Sequence, residues 1–304
     1  MSDFVAINGQ ITPYENARIA PFDAGFLHGA ALFETMRAGA AGVFRWSEHL
    51  QRLQTSSTEL GFDVNLDLRA TADLVAELMQ ANGLSEARVR LTVSRGDTAP
   101  LEAESADPPR TVLISTGPLT RYPAALYAKG MTVAIAQPSQ DTQRPTCGHK
   151  TTSYLDRLLV LRAAQRAGAG EALWFTATEK WLAEGCISNV FLVDNQNNVL
   201  TPPWPMPGAN GRRLVLPGIA RETVLALAQA EGLTVRQPTL TMADVLAAKE
   251  IFLTNVIMGV MPVVRVQRRP VGDEKPGTVT LRLRSKFEEA VTAACGGGTA
   301  EKDI

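Results

Sequence analysis

The chain is poor in the residues that build several classes of protein, and each shortage excludes something. Three cysteines in 304 residues, Cys147, Cys186 and Cys295, are odd in number and far apart. They supply neither a disulfide framework nor a thiolate zinc site. The three histidines, His28, His49 and His149, lack the spacing of metal ligands. No run approaches the roughly 18 apolar residues of a membrane-spanning helix. The first residues, Met1-Ser2-Asp3-Phe4, have neither the basic flank nor the apolar stretch of a secretion signal. An excess of either charge is missing too, since 30 Lys and Arg stand against 31 Asp and Glu. That balance makes nucleic acid and anionic membranes poor partners. There is no Walker A sequence and no Gly-x-Ser-x-Gly elbow. Gly168-Ala169-Gly170 follows a helical stretch, where a dinucleotide fingerprint needs a strand. The expectation is a cytoplasmic enzyme with free thiols.

What is present reads as strands mixed with helices. Residues 4–7 and 10–12 flank Asn8-Gly9, a pair that favours a hairpin turn. Ser47 is placed to cap a helix with Trp46, Leu50, Leu53 and Leu60 on one side, closed by Gly61. A second helix is predicted over 66–81, and strands over 89–93 and 111–115. The stretch 117–123 reads as a linker. A small N-terminal α/β domain is therefore expected over 1–120, a larger C-terminal domain over 121–295, and a disordered tail over 296–304. In the second half, strands are predicted at 131–136, 172–176, 189–193, 251–254 and 260–266. Helices are predicted at 153–167 and 220–231, and 201–218 is a Pro/Gly-rich loop. This mixture predicts an α+β or mixed α/β fold, not a doubly wound sheet.

Lys150 stands where a loop rich in Pro, Thr and Gly runs into an amphipathic helix, in Cys147-Gly148-His149-Lys150-Thr151-Thr152-Ser153-Tyr154-Leu155. A free lysine with a pKa of about 10.4 is neutral at pH 7 in roughly one molecule in 2,500. Imine formation with an aldehyde cofactor removes that obstacle, and the released amine then serves as general base and acid. A lysine at a helix start is most often solvated, but its charge opposes the helix dipole, and the other lysines fall in turns, charged faces or the tail. Further along, at a distance of 34 residues, Ala183-Glu184-Gly185-Cys186-Ile187-Ser188-Asn189-Val190-Phe191 frames a carboxylate with small residues. Such a glutamate is ordinarily an exposed turn residue. Here Ala183 and Gly185 leave room for a flat ring, whose nitrogen Glu184 can keep protonated through a charge-assisted hydrogen bond of about 1.5 to 3 kcal/mol. Lysine and carboxylate together point to pyridoxal 5′-phosphate (PLP).

The phosphate of such a cofactor needs donors. Leu216-Pro217-Gly218-Ile219-Ala220-Arg221-Glu222 is a turn opening a helix, which aims backbone N–H groups at an anion. Thr254 and Asn255, after the predicted strand, offer hydroxyl and amide contacts, and Arg52 lies off its helix's apolar stripe with a bidentate fork. Each of these signals is weak alone. A Pro-Gly turn is usually just a turn, and a helix arginine is usually solvated. His28 and His49 read as structural or exposed, and His149 is left open.

Together these residues resemble the class IV aminotransferase family, the fold-type IV PLP enzymes, over nearly the whole chain from Ile7-Asn8-Gly9 to Met261-Pro262-Val263. His49-Leu50-Gln51-Arg52-Leu53 is similar to the segment whose arginine grips the cofactor phosphate. Lys150 matches the Schiff-base lysine, and Glu184 the pyridine-nitrogen partner, in a Glu-Gly-x-x-Ser-Asn pattern ending at Asn189. Gly218, Ile219 and Ala220 match the phosphate turn, which more often ends Ile-Thr-Arg, and Thr254 matches a second phosphate contact. Asn255 and Tyr154 complete the expected cofactor-binding set. The resemblance implies a two-domain fold like that of D-amino acid aminotransferase, PLP as cofactor, a small amino substrate and a homodimer.

Within the family, Leu32-Phe33-Glu34-Thr35-Met36-Arg37 and the run from Leu253-Thr254-Asn255 to Val263 look most like 4-amino-4-deoxychorismate lyase. That enzyme releases pyruvate and the folate precursor 4-aminobenzoate, and a threonine at the position of Thr35 is associated with proton handling there. The expectation is therefore a lyase with Lys150 and Thr35 as catalytic residues. The alternative is an amino acid aminotransferase of branched-chain or D-amino acid type. Two departures bear on the choice. After Arg95-Gly96 the chain reads Asp97-Thr98-Ala99-Pro100-Leu101, without the Gly-Arg-Gly-Tyr-like continuation of many lyases. Pro100 and Glu102 also occupy the region of the Arg and His that trap the substrate carboxylate in D-amino acid aminotransferases. Branched-chain enzymes usually carry glycine where Thr35 follows Glu34.

Overall fold

The computed structural model describes residues 3–62, 64–97, 110–137, 139–205 and 214–296. Thr98 to Glu102, where the sequence departs from the family patterns, lie outside the described residues, as do residues 297–304 of the expected tail. The chain divides into two units. The first takes in Met1–Thr120, Lys150–Ser153 and Ala290–Ile304, and the second Arg121–His149 and Tyr154–Glu289.

The first unit is built on a six-stranded antiparallel sheet of order β2-β1-β6-β5-β3-β4. β1 (Phe4–Ile7) and β2 (Gln10–Pro13) form the predicted hairpin, with φ of 49° at Asn8 and 83° at Gly9, as a tight two-residue turn requires. A short α1 (Ala24–His28) leads to β3 (Ala31–Gly39), β4 (Gly42–Val43), α2 (Trp46–Glu59), α3 (Leu68–Ala81), β5 (Ala87–Ser94) and β6 (Val112–Gly117). Leu32, Met36, Val89, Leu91, Val93 and Ile114 alternate onto one sheet face and pack with Leu50, Leu53, Val75 and Leu78 of the two helices. α3 is capped by Asp67, whose carboxylate accepts from Ala70 N–H at 2.8 Å. α2 begins elsewhere than expected. Arg45, in the left-handed region, is its N-cap without a side-chain bond, and Ser47 lies inside the helix. The buried Phe44 and the short β4 turn the chain there, so tertiary packing sets the start.

No strand is expected over 31–39, yet β3 is buried along nearly its whole length. Glu34, Thr35 and Arg37 break the apolar alternation by which a strand is recognised. The edge of β3 near its start is covered by the stretch containing Lys150. Phe33 N–H donates to Lys150 O at 2.9 Å, and Thr152 N–H donates to Ala31 O at 2.8 Å.

The second unit holds a nine-stranded mixed sheet. α4 (Ala124–Lys129), β7 (Met131–Ile135), α5 (Leu155–Arg166), β8 (Glu171–Phe175), β9 (Leu182–Gly185), β10 (Asn189–Val193) and β11 (Val199–Leu200) come first. α6 (Ile219–Ala230), β12 (Val235–Arg236), α7 (Met242–Ala247), β13 (Glu250–Asn255), β14 (Gly259–Val266), β15 (Arg269–Pro270) and α8 (Thr278–Cys295) follow. The order is β12-β11-β10-β13-β14-β7-β8-β9, with β15 on β14. The β14–β7, β7–β8 and β11–β12 pairs are parallel. β8 feeds two cores from its two faces. Leu173 and Phe175 join Val133, Leu253 and Met261, while Ala172 and Trp174 join Val160, Ala183 and Cys186.

Among the described residues, four α-helices, β9 and the two-residue strands are not anticipated by the sequence patterns. α8 is the longest of these, and its start is held by a distant carboxylate: Glu250 of β13 accepts from Thr280 N–H at 2.8 Å and Thr280 Oγ1 at 2.7 Å. Among the described residues, no helix is long and apolar enough to cross a membrane.

Candidate active site

In the first unit, Lys150 is fixed by its main chain. The bonds to β3 and a Leu32–Thr151 bridge set it opposite Phe33 in antiparallel register. Facing residues of such a pair point to the same side. Lys150 Nζ accordingly lies 4.4 Å from the centre of the Phe33 ring. Thr35, two residues along β3, shares that face, as does Arg90, its partner on β5, whose guanidinium lies 3.8 Å from the same ring centre. Phe33, Thr35, Arg90 and Lys150 therefore occupy the sheet face opposite the apolar core.

Arg52 is 8% exposed on α2, and its fork grips Glu34: Nε donates to Oε1 at 2.8 Å and Nη2 to Oε2 at 2.5 Å. His49 Nδ1 lies 2.7 Å from Glu34 Oε2. Burial alone would raise the Glu34 carboxyl, but the charges and hydrogen bonds of Arg52 and His49 outweigh it and hold its pKa down to about 2. Burial lowers the His49 pKa, and its buried Nε2 has no hydrogen-bond partner among the described residues. His49 is thus a structural residue and not an exposed one. The sequence shows Glu34, His49 and Arg52 but gives no sign that a strand and a helix bring them together.

The second unit gathers the remaining expected residues. Glu184, at the end of β9 and 2% exposed, accepts from Leu216 N–H at 2.9 Å through Oε2, and its Oε1 pairs with Arg157. Asn189, which opens β10, donates to Leu216 O at 2.9 Å. The backbone of Leu216 is thereby tied at both ends, and the turn entering α6 is locked to β9 and β10. Gly218 follows; a Cβ there would collide with Asn189 Oδ1. α6 starts at Ile219 and Ala220 with Gly218 as an N-cap that makes no side-chain bond. Thr254 faces Asn189 across the β10–β13 pair. Its hydroxyl is buried and makes no hydrogen bond among the described residues.

Asn255 and Tyr154 are bonded to the frame. Asn255 Nδ2 donates to Ile187 O at 3.2 Å, and its Oδ1 accepts from Ile257 and Met258 N–H at 3.0 and 2.7 Å. Tyr154 donates to Cys186 O at 2.8 Å, and burial pushes its phenol up to about 12. Two residues that sequence reasoning passed over hold the 185–188 loop from behind. Arg157 Nη1 donates to Gly185 O and Cys186 O, both at 3.1 Å. Glu171 accepts from Ile187 N–H at 2.8 Å and Ser188 Oγ at 2.6 Å, and burial pushes its carboxyl up to about 7 against those bonds. The one sequence signal for Arg157 is a cation in the first turn of a helix, opposing the dipole. His149 is half-buried.

These groups suit an anionic aromatic cofactor. A carboxylate has about four acceptor sites, so Glu184 keeps capacity for a further N–H donor. A buried, unbonded hydroxyl beside an uncapped helix start is a ready phosphate cradle, since the N–H groups of a first turn have no intrahelical acceptor. PLP carries both the ring nitrogen and the phosphate that such a set accommodates.

Comparisons with known proteins decide the family. A model described as amino-transferase class IV matches residues 31–266. A putative branched-chain-amino-acid aminotransferase of Methanocaldococcus jannaschii is 31% identical over 95% of this chain and 96% of its own. A D-alanine aminotransferase of Listeria monocytogenes is 26% identical over 96% of this chain and 97% of its own. The T.th. branched-chain amino acid aminotransferase, solved with pyridoxamine 5′-phosphate, superposes with a TM-score of 0.83 at 25% identity, covering 97% of this chain and 95% of that one. The mixed α/β, two-domain fold-type IV architecture is as the resemblance implied. The likeness to aminodeoxychorismate lyase is overturned, because the proteins matched over nearly the whole chain are aminotransferases. That expectation leaned on Thr254-Asn255 and on Thr35 after Glu34. Asn255 serves the scaffold and Glu34 serves Arg52 and His49, so neither motif reports the reaction. On the family match and the fold, the chain belongs to the class IV aminotransferases.

Proposed function

We propose that the chain is a PLP-dependent aminotransferase that transfers the amino group of a branched-chain amino acid to a 2-oxo acid. The observation that carries this reading is the frame in which Glu184, Asn189 and the unbonded Thr254 hydroxyl meet the start of α6. When bound, PLP supplies an electron sink for the electrons left at the substrate Cα. Lys150 would hold the cofactor through Nζ, and the same amine would move the proton at the substrate Cα. Glu184 holds the proton on the ring nitrogen. Thr254 and the N–H groups of Ile219 and Ala220 would hold the phosphate, with Arg52 as the arginine that would balance its charge. The Phe33 ring beside Lys150 Nζ shields the amine from water on that side. Arg90, on the same face, is a cation for the substrate carboxylate, and Thr35 is its cross-strand partner. The relative in Methanocaldococcus jannaschii supports the branched-chain assignment.

A homodimer belongs to the same reading. Tyr14, Ile19, Phe22, Phe26 and Leu27 are exposed along one segment of the first unit, and a second copy covering them removes that apolar surface from water.

The test is a donor scan. Leucine or valine should convert bound PLP to the amine form, and 2-oxoglutarate should restore it with formation of glutamate. If D-alanine alone drives the cycle, the substrate assignment fails. If no amino donor converts the cofactor, the aminotransferase reading fails.

A further inference from the structure

Arg157 is placed where a helix least favours a cation, in the first turn of α5. Its guanidinium nevertheless has acceptors on every side that the 184–186 segment offers. Nη1 takes Gly185 O and Cys186 O at 3.1 Å each, and Nη2 pairs with Glu184 Oε1. Burial alone would lower the Arg157 pKa, but the charge of Glu184 raises it above the ordinary arginine value, so the group is a permanent cation. The Glu184 side chain is 3% exposed and that of Arg157 25% exposed, so water screens the pair little from the inner side. Glu184 Oε2 receives the Leu216 N–H. The carboxylate assigned above to the cofactor nitrogen therefore already faces a full positive charge inside the protein.

We propose that Arg157 is a positioning and tuning residue: it shares the charge of Glu184 with the ring nitrogen of PLP, so that the nitrogen holds its proton less tightly than a lone carboxylate would make it. The inference rests on the proposed role of Glu184. Its physical basis is that a cation near an ion pair weakens the partner cation's hold, because both draw on one negative charge. The geometry also separates two contributions of Arg157. The bonds to the Gly185 and Cys186 carbonyls fix the loop and need only N–H donors, whereas the effect on the nitrogen needs the charge. The consequence is a restrained electron sink whose strength is set by one side chain.

The titratable groups around the pair are Tyr154, Cys147, Cys186 and Glu171. Burial pushes Tyr154 up to about 12, Cys186 up to about 11 and Cys147 up as well, so these stay neutral near neutral pH. Glu171, pushed up to about 7, does change charge there and needs its own control.

The experiment is a pH titration of the 15N resonance of ring-labelled PLP bound to the wild-type protein and to R157Q, R157K, E184Q and E171Q. R157Q keeps N–H donors for the loop and removes the charge. It should raise the nitrogen's apparent pKa by about one unit or more. R157K, which restores the charge, should stay near wild type, and E184Q should lower the value. R157M, uncharged and similar in volume, gives the same comparison if R157Q folds poorly. Superimposable titrations of R157Q and wild type, with E184Q shifted, would overturn the role of Arg157 and leave that of Glu184 standing. If E184Q also leaves the nitrogen unmoved, the assignment of Glu184 fails and this inference fails with it.

Discussion

At the scale of single residues, two side chains lend themselves to direct tests. The main chain at Lys150 is held by the Phe33 N–H bond to its carbonyl, and the stretch that follows by the Thr152 N–H bond to Ala31 O, neither of which involves the lysine side chain. Lys150→Ala should therefore fold normally, lose the protein-bound cofactor that borohydride fixes in the wild type, and drop in turnover by about 10²- to 10⁴-fold or more. Mass mapping of the reduced protein checks the assignment, and a label on another lysine refutes it. Glu34 makes a different statement, about stability. Its pKa of about 2 lies below the ordinary value of 4.5, so its contribution is present above pH 4.5 and is lost as pH falls towards 2. Glu34→Gln leaves Arg52 buried against a neutral amide and should cost about 3 to 5 kcal/mol. Urea unfolding at pH 7 measures this, and a loss below about 1 kcal/mol would mean that the cluster is not the anchor it looks like.

At the scale of elements, the β9–β10 loop and the start of α6 form one device. Thr254 offers a hydroxyl with nothing to bond among the described residues. Thr254→Val is isosteric and removes an unsatisfied group, so the cofactor-free protein should be as stable or slightly more so. PLP affinity should fall about tenfold, as for the loss of one hydrogen bond. Equal affinity in an equilibrium titration would remove Thr254 from the phosphate site. The loop's other support is Glu171. Its folded pKa of about 7 lies above its ordinary 4.5, so the fold favours the protonated form. That contribution is full below about pH 4.5 and is lost as pH rises through 7. Glu171→Gln mimics the protonated acid. Its stability between about pH 5 and 8 should be flatter than the wild type's, and parallel denaturation curves for the two proteins would contradict this.

At the scale of the whole molecule, the exposed segment from Tyr14 to Leu27 predicts assembly. Phe26 is 77% exposed and Phe22 56%, a large apolar surface for a chain to leave in water. Sedimentation should show a dimer at micromolar concentration, and Phe26→Lys should shift it towards monomer. A wild-type monomer would dispose of the proposal.

The local patterns in the sequence were enough for much of this. Asn8-Gly9 sets a hairpin between two strands, and the helix after Lys150 is legible from its run of helix-forming residues. Leu155, Leu158 and Leu159, expected as its apolar content, are nevertheless exposed, and Val160 and Ala164 are the residues it buries. Lys150, Glu184 and the Gly218 turn stand out in the sequence because the proposed cofactor chemistry needs particular residue types within short stretches. Other features depended on distance in sequence. β3 was hidden because its buried charges find partners on α2, and α8 because its first turn is held by Glu250 of β13. Arg157 and Glu171 were invisible for the same reason, since their acceptors and donors lie far along the chain, 28 residues away for Gly185 and 16 for Ile187. The reaction type is not legible in the sequence for a related cause. Short motifs such as Thr254-Asn255 record what a loop needs to hold its shape, and only the folded loop shows that Asn255 serves Ile187 and Met258. A buried charge or amide is decided by its partner, and the partner is chosen by the tertiary structure.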